Sequence, residues 1–154
     1  MEEIKYYYFA YGYNTNNDHI NINYPNIKFY SIGILYDYKL VFRKTLDSLN
    51  IENAYCDIEK EKYKEVNGVI YEISLKDMKK LDIQEHTGVL YKRKLFEIKS
   101  LNNNDLIKCY SYIMINKDLP YSKPTDRYYK VVLDGYKYHK LSLSQLHNAY
   151  HDIS

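Results

Sequence analysis

Apolar and polar positions along the chain sort into a few clear runs. Lys5 to Tyr11 reads as a strand of aromatic and small residues, and it stops abruptly at Gly12, with polar atoms following at once. Tyr30 to Arg43 reads as two strands around Asp37 and Tyr38, and Ile51 to Ile58 and Glu65 to Ile73 as two more. In the last of these Val66, Val69, Ile70, Tyr71 and Ile73 supply the β-branched and aromatic content of a strand. Helical spacing takes over at Leu75: Leu75, Met78 and Leu81 share one face, behind Ser74 as N-cap and Asp77 as the acidic member of a capping-box variant. Tyr91 to Ser100 and Leu106 to Asn116 read as long strands joined by a turn at 102–105. A loop with Pro120 and Pro124 leads to a helix over Asp126 to Asp134 that Gly135 stops, and a last helix starts at Ser142 with Gln145 three residues on. The Asn-rich stretches 14–26 and 102–104 read as loops.

The order is therefore strand, short helix, several strands, helix, two strands, two helices. Strands and helices do not alternate regularly. This argues against a doubly wound sheet and for an α+β fold, with a curled or barrel-like sheet and helices packed outside. Residues 1–154 read as a single domain, large enough to bury a core.

Composition changes this picture little. Twenty-one residues are Tyr and none is Trp, and with the many Asn, Ile and Lys this reads as the codon bias of an A/T-rich genome. A formal net charge of +2 carries no strong polyanion-binding field. No secretory leader or bilayer-spanning apolar run is legible, so the cytoplasm, with no membrane partner, is the expectation. Cys56 and Cys109 lie in apparent strands and read as reduced core thiols rather than a disulfide or a nucleophile.

Familiar chemical motifs fail. Gly12 belongs to neither the Walker nor the dinucleotide spacing. His147 and His151 sit one helical turn apart, but Asn148 stands where a zinc protease needs its glutamate, and no third ligand is near in sequence. No metal and no cofactor is expected. What remains is a carboxylate. In LDIQEHTGVLYKR, residues 81–93, Glu85 lies one turn beyond a core-facing Leu81 where the helix gives way to a turn. Alone, a Glu at a helix end is usually solvated.

Two segments together resemble the γ-glutamylcyclotransferase family. Its first strand ends in a tyrosine-glycine-serine-asparagine loop, often after phenylalanine-alanine. Phe9-Ala10-Tyr11-Gly12-Tyr13-Asn14 matches except for Tyr13 in place of serine. Leu81-Asp82 with Glu85 three residues on matches the family's leucine-aspartate and general-base glutamate. Further pieces follow in order: Gly33 to Phe42, Asn67 to Tyr71, Tyr110 to Tyr112, and Pro124 to Tyr128 with Gly135 seven residues later.

The resemblance implies a small curled mixed β-barrel with flanking helices. It also implies an activity: the α-amine of a γ-glutamyl amide attacks its own side-chain carbonyl, forms 5-oxoproline and releases an amino acid or amine. No cofactor is needed because the nucleophile is intramolecular. Glu85 is the expected acid/base. Backbone amides of Tyr11, Gly12, Tyr13 and Asn14 are the expected cradle for the small zwitterion, Gly12 allowing close approach and positive φ if required. Tyr128 is expected to line the pocket or bond the substrate, Asp82 to support the helix end, and Lys92 and Arg93 to be solvated. Tyr13 and His86, the latter where the family often has glycine, are departures that point to altered specificity. The expected partner is a small-molecule γ-glutamyl substrate, with no nucleic acid and with a homodimer open as an assembly. Glutathione and γ-glutamyl amines are alternative substrates. A non-catalytic binding module on the same scaffold is the rival reading. A single-strand nucleic-acid binder using Tyr stacking is disfavoured by the modest charge.

Overall fold

The computed structural model describes residues 4–46 and 52–153, so Ile51, the expected start of a strand, lies outside the described residues. Five strands form a closed barrel: β1 (Lys5–Ala10), β2 (Lys28–Leu46), β3 (Glu52–Ser74), β4 (Tyr91–Ser100) and β5 (Leu106–Met114), in the order β1-β3-β2-β4-β5. Neighbours are antiparallel except at the seam, where β1 lies parallel to β5 with Tyr8 beside Tyr110. Around it pack α1 (Asn17–Asn23), α2 (Leu75–Gln84), α3 (Asp126–His139) and α4 (Leu143–His151). This is the α+β mixed barrel with flanking helices that the resemblance implies.

The expected four central strands are two long ones. The β2–β3 ladder shifts register between Tyr36 and Tyr38, opposite Lys60 to Glu65, and does not break. Asp37 takes φ 64° and its carboxylate accepts the Tyr63 amide at 3.1 Å, Tyr63 itself having φ 70°. An irregularity of this kind bends a strand pair while pairing continues on both sides, and in sequence it looks like a turn. The far half of the hairpin is fastened by Arg43, 3 % exposed, whose Nε bonds fully buried Asp57 at 2.9 Å. The Arg43 guanidinium also donates to the carbonyls of Lys117 and Leu119, and Lys117 reaches Asp57 at 2.7 Å. A buried charge needs such complete pairing. The result fixes Cys56 and its neighbours on β3 beside the barrel mouth.

Residues 14–26 are largely helical rather than loop. Tyr13–Thr15 forms a 3-10 turn, and Asn16 caps α1 by accepting the His19 amide at 3.2 Å. Asn is a poor interior helix former but a strong N-cap, which masks such a helix in the sequence. At α2, Ser74 accepts the Asp77 amide at 3.1 Å as expected, and Met78 and Leu81 are buried, but Leu75 is exposed. At α4, Ser142 accepts the Gln145 amide at 3.3 Å. The Gln145 side chain bonds both backbone groups of Asn67, at 2.6 and 3.0 Å, and so ties α4 to β3.

Gly135 does not stop α3. The helix runs through it to His139, and Lys140 in the left-handed region (φ 56°) ends it. A Cβ at position 135 would lie 2.3 Å from Thr15 Oγ1 and 2.7 Å from the Asn16 amide nitrogen. The missing side chain lets α3 press against the turn after β1, which explains a mid-helix residue that costs about 1 kcal/mol relative to Ala. Gly135→Ala is accordingly expected to destabilise the fold by about 1–3 kcal/mol in urea unfolding, despite its better helix propensity.

Candidate active site

β1 ends where its backbone is gripped by tyrosine hydroxyls. Tyr136 on α3 donates to the Tyr11 carbonyl at 2.6 Å, and Tyr71 on β3 donates to the Asn14 carbonyl at 2.9 Å. The Tyr11 hydroxyl donates to the Tyr112 carbonyl on β5. Within the turn, Thr15 Oγ1 and the Thr15 amide both bond the Gly12 carbonyl, at 2.7 and 3.0 Å. The Asn16 amide bonds the Tyr13 carbonyl. These bonds leave the Tyr13 and Asn14 amides, first in the turn, with no acceptor among the described residues, as helical starts do. Gly12 has φ −130°, so positive φ plays no part. Its small size is needed because a Cβ there would lie 2.8 Å from Cys56 Cβ.

Glu85 is the C-cap of α2, its amide bonded to the Leu81 carbonyl at 2.9 Å. Buried Leu81 anchors the last helical turn in the core and so fixes where residue 85 emerges. The Glu85 carboxylate faces the turn after β1. Asn14, 5 % exposed, uses its Nδ2 to donate to Glu85 Oε1 at 3.3 Å and to the Tyr8 hydroxyl at 3.0 Å. Burial pushes the Glu85 carboxyl up to about 7. Asp82 accepts from Arg93 at 3.1 Å and from the Tyr112 hydroxyl at 2.5 Å, which pins the end of α2 to β4 and β5. Arg93 is thus a bridging residue, lying over the Tyr110 ring at 5.0 Å, and not the solvated strand residue expected. His86 takes φ 49°, the left-handed conformation for which glycine is favoured, so the loop after Glu85 keeps that conformation with a side chain attached.

Two connected cavities meet at Glu85. An inner one of about 50 Å³ is lined by the turn, Tyr8, Cys56 and Tyr112. An outer one of about 370 Å³ opens beyond it. Tyr13, Glu85, Tyr91 and Tyr128 line both. Tyr128 accepts the Cys56 amide at 3.0 Å, while Tyr91 donates to the Cys56 carbonyl at 2.8 Å. The site therefore brings together Tyr11, Gly12, Tyr13, Asn14, Glu85 and Tyr128. Tyr8, Tyr91 and the Cys56 backbone join them without having been singled out in the sequence. Each sits inside an ordinary strand pattern, and only the barrel closure turns them towards one point. The Cys56 thiol is buried and pushed up to about 12 by that burial, as suits a core thiol. No group of three or more His, Cys, Asp or Glu side chains with metal-binding geometry exists among the described residues. Nor is any described helix long and apolar enough to cross a membrane.

Comparison with known proteins agrees with this architecture. The model of the AIG2-like family matches residues 65–148. Human γ-glutamylcyclotransferase is 28 % identical over 144 residues, covering 92 % of this chain and 76 % of the human protein. The bovine protein of the same name is 30 % identical over 141 residues, covering 88 % of this chain and 72 % of its own. A solved γ-glutamyl cyclotransferase shares the fold with a TM-score of 0.84 at 24 % identity, over 98 % of this chain and 89 % of the other. With the barrel, the glycine turn and these relatives in view, the chain belongs to the AIG2-like, γ-glutamylcyclotransferase family.

Proposed function

We propose that this protein cyclises γ-glutamyl amino acids to 5-oxoproline and releases the free amino acid, with Glu85 as the acid/base. The observation that carries this reading is a half-buried carboxylate, raised to about 7, set 3.3 Å from Asn14 on the glycine turn. A free α-amine has a reference pKa of about 8, so the two groups are closely matched for proton transfer near neutrality.

In this scheme the α-ammonium of the bound substrate gives a proton to the Glu85 carboxylate. The freed amine attacks the γ-carbonyl carbon, and negative charge gathers on the carbonyl oxygen. The Tyr13 and Asn14 amides, without an acceptor among the described residues, are the donors suited to that oxygen or to the substrate carboxylate. As the C–N bond breaks, the proton held by Glu85 and the one shed by the ring nitrogen both end on the departing amine, which restores the carboxylate. Folding the glutamyl chain against the turn makes the attack intramolecular and geometrically ready. Tyr128 forms a wall of this space with its hydroxyl engaged by the Cys56 amide, so its role is to shape the site.

Incubation with γ-glutamyl-alanine, glutathione and γ-glutamyl-lysine should release 5-oxoproline from at least one of them. Glu85→Gln keeps the volume but cannot hold the proton, and kcat should fall about 10²–10⁴-fold with the circular dichroism unchanged. Undiminished turnover in that variant would end the assigned role; no turnover of any of the three by the natural chain would favour a binding module.

Two pH effects follow from the same carboxyl. Activity requires the ionised form, so kcat/KM should rise with pH along a limb centred near 7. Stability runs the other way. The folded chain holds this proton to higher pH than the unfolded chain, so unfolding becomes easier as pH rises from the ordinary carboxylate range to about 7. Glu85→Gln should therefore outlast the natural chain in thermal melts at pH 8, and the gap should close near pH 4.

A further inference from the structure

The outer cavity differs in character from the inner one. Its wall carries three tyrosine rings in succession. Tyr13 stacks on Tyr128 with centroids 5.5 Å apart and planes 24° apart, and Tyr55 meets Tyr128 at 5.2 Å and 49°. All three line the same space. Tyr13 stands where the family has serine, so its ring adds to this wall something the motif does not specify. Tyr13 is also braced from behind by His19, its hydroxyl 3.4 Å from His19 Nδ1 and the two rings 5.0 Å apart. Arg127, in the first turn of α3, lines the cavity too and forms no ion pair among the described residues. The lining thus runs from the Glu85 carboxylate to an aromatic wall and the Arg127 guanidinium.

Resting on the cyclotransferase reading, we infer that the outer cavity is a leaving-group subsite. It selects γ-glutamyl amino acids whose departing residue has an aromatic or large apolar side chain and a free α-carboxylate. The inner cavity beside the turn is the small one, about 50 Å³, whereas the outer one offers about 370 Å³ for what departs. Flat rings offer their faces to an aromatic or bulky apolar group. A guanidinium presents a planar fork that fits a carboxylate. A γ-glutamyl amine lacks that carboxylate, and a small amino acid leaves the tyrosine wall unused. Tyr13 and Arg127 are therefore the specificity-determining residues of this chain.

The test compares γ-glutamyl-phenylalanine, γ-glutamyl-alanine and γ-glutamyl-phenylalanine amide. Turnover is measured with the natural chain, Tyr13→Ser and Arg127→Gln, and binding by calorimetry in the Glu85→Gln background. The natural chain should favour γ-glutamyl-phenylalanine over each of the others by roughly tenfold in kcat/KM. Tyr13→Ser should erase the preference over alanine, and Arg127→Gln the preference over the amide, in both cases through KM. Equal handling of the three compounds, or selectivity that both substitutions leave intact, overturns the inference. If nothing is turned over yet the Glu85→Gln chain binds the three in the expected order, the cyclisation reading fails and the subsite stands. If the order is absent from binding as well, the subsite falls with it.

Discussion

Holding a carboxylate partly out of water is unfavourable, and the rest of this structure is arranged around the place where it happens. Glu85 leaves the end of α2 towards a space bounded by tyrosine rings and the turn after β1, and Asn14 is the side chain that meets it. Neither a lysine nor an arginine lines the inner cavity to offset the charge. The carboxyl is raised to about 7 by lost hydration and not by a neighbouring anion. A base in such a position is ready to hold a proton near neutrality, and it stays there because Leu81 is locked in the core and Asp82 is pinned by Arg93 and Tyr112.

The opposite side of the site is held by main-chain grips. The turn after β1 cannot pair in the sheet, so its carbonyls need other donors. Tyr136 and Tyr71 provide them from two different elements, each net bond contributing about 1 kcal/mol. Tyr91 and Tyr128 grip the two backbone groups of Cys56 in the same way. A strand end that would otherwise fray is thereby fixed from several directions, while the Tyr13 and Asn14 amides have no acceptor among the described residues. Gly12 and Gly135 supply the close approaches, one against Cys56 and one against Thr15. The abundance of tyrosine, which composition alone assigns to codon usage, is put to structural use here. Tyr11, Tyr71, Tyr91 and Tyr136 each fill core volume and carry a hydroxyl to a backbone carbonyl.

Much of the fold was legible because local rules and tertiary demands coincide. The first strand, Lys5–Ala10, one residue shorter than the pattern suggests, and the cap at Ser74 follow directly from pattern and side-chain chemistry, as do the turn between β4 and β5 and the start of α4. Local rules failed where a tertiary contact overrode them. Asp37 signals a turn, yet the ladder continues past it because both halves of β2 and β3 have partners to pair with. Gly135 signals a helix end, yet the helix continues because the bare backbone is what lets it seat on Thr15. Arg93 looks like a surface charge until the barrel brings Asp82 to it across the strand.

The sequence by itself determined the ingredients: a glycine turn ending the first strand, a glutamate three residues past Leu81-Asp82, and enough apolar alternation for a barrel ringed by helices. Those are short-range facts, written in spacing and residue type. Tertiary structure alone decided that residues 14 and 85, 71 positions apart, face each other at 3.3 Å, and that the Glu85 carboxylate is partly withdrawn from water. It also decided that Tyr8, Tyr91 and Cys56 belong to the site and that Tyr13, Tyr55 and Tyr128 form one continuous wall. The physical reason is that hydration, and with it the proton affinity of a carboxyl, depends on which distant segments close over the group, and barrel closure settles that.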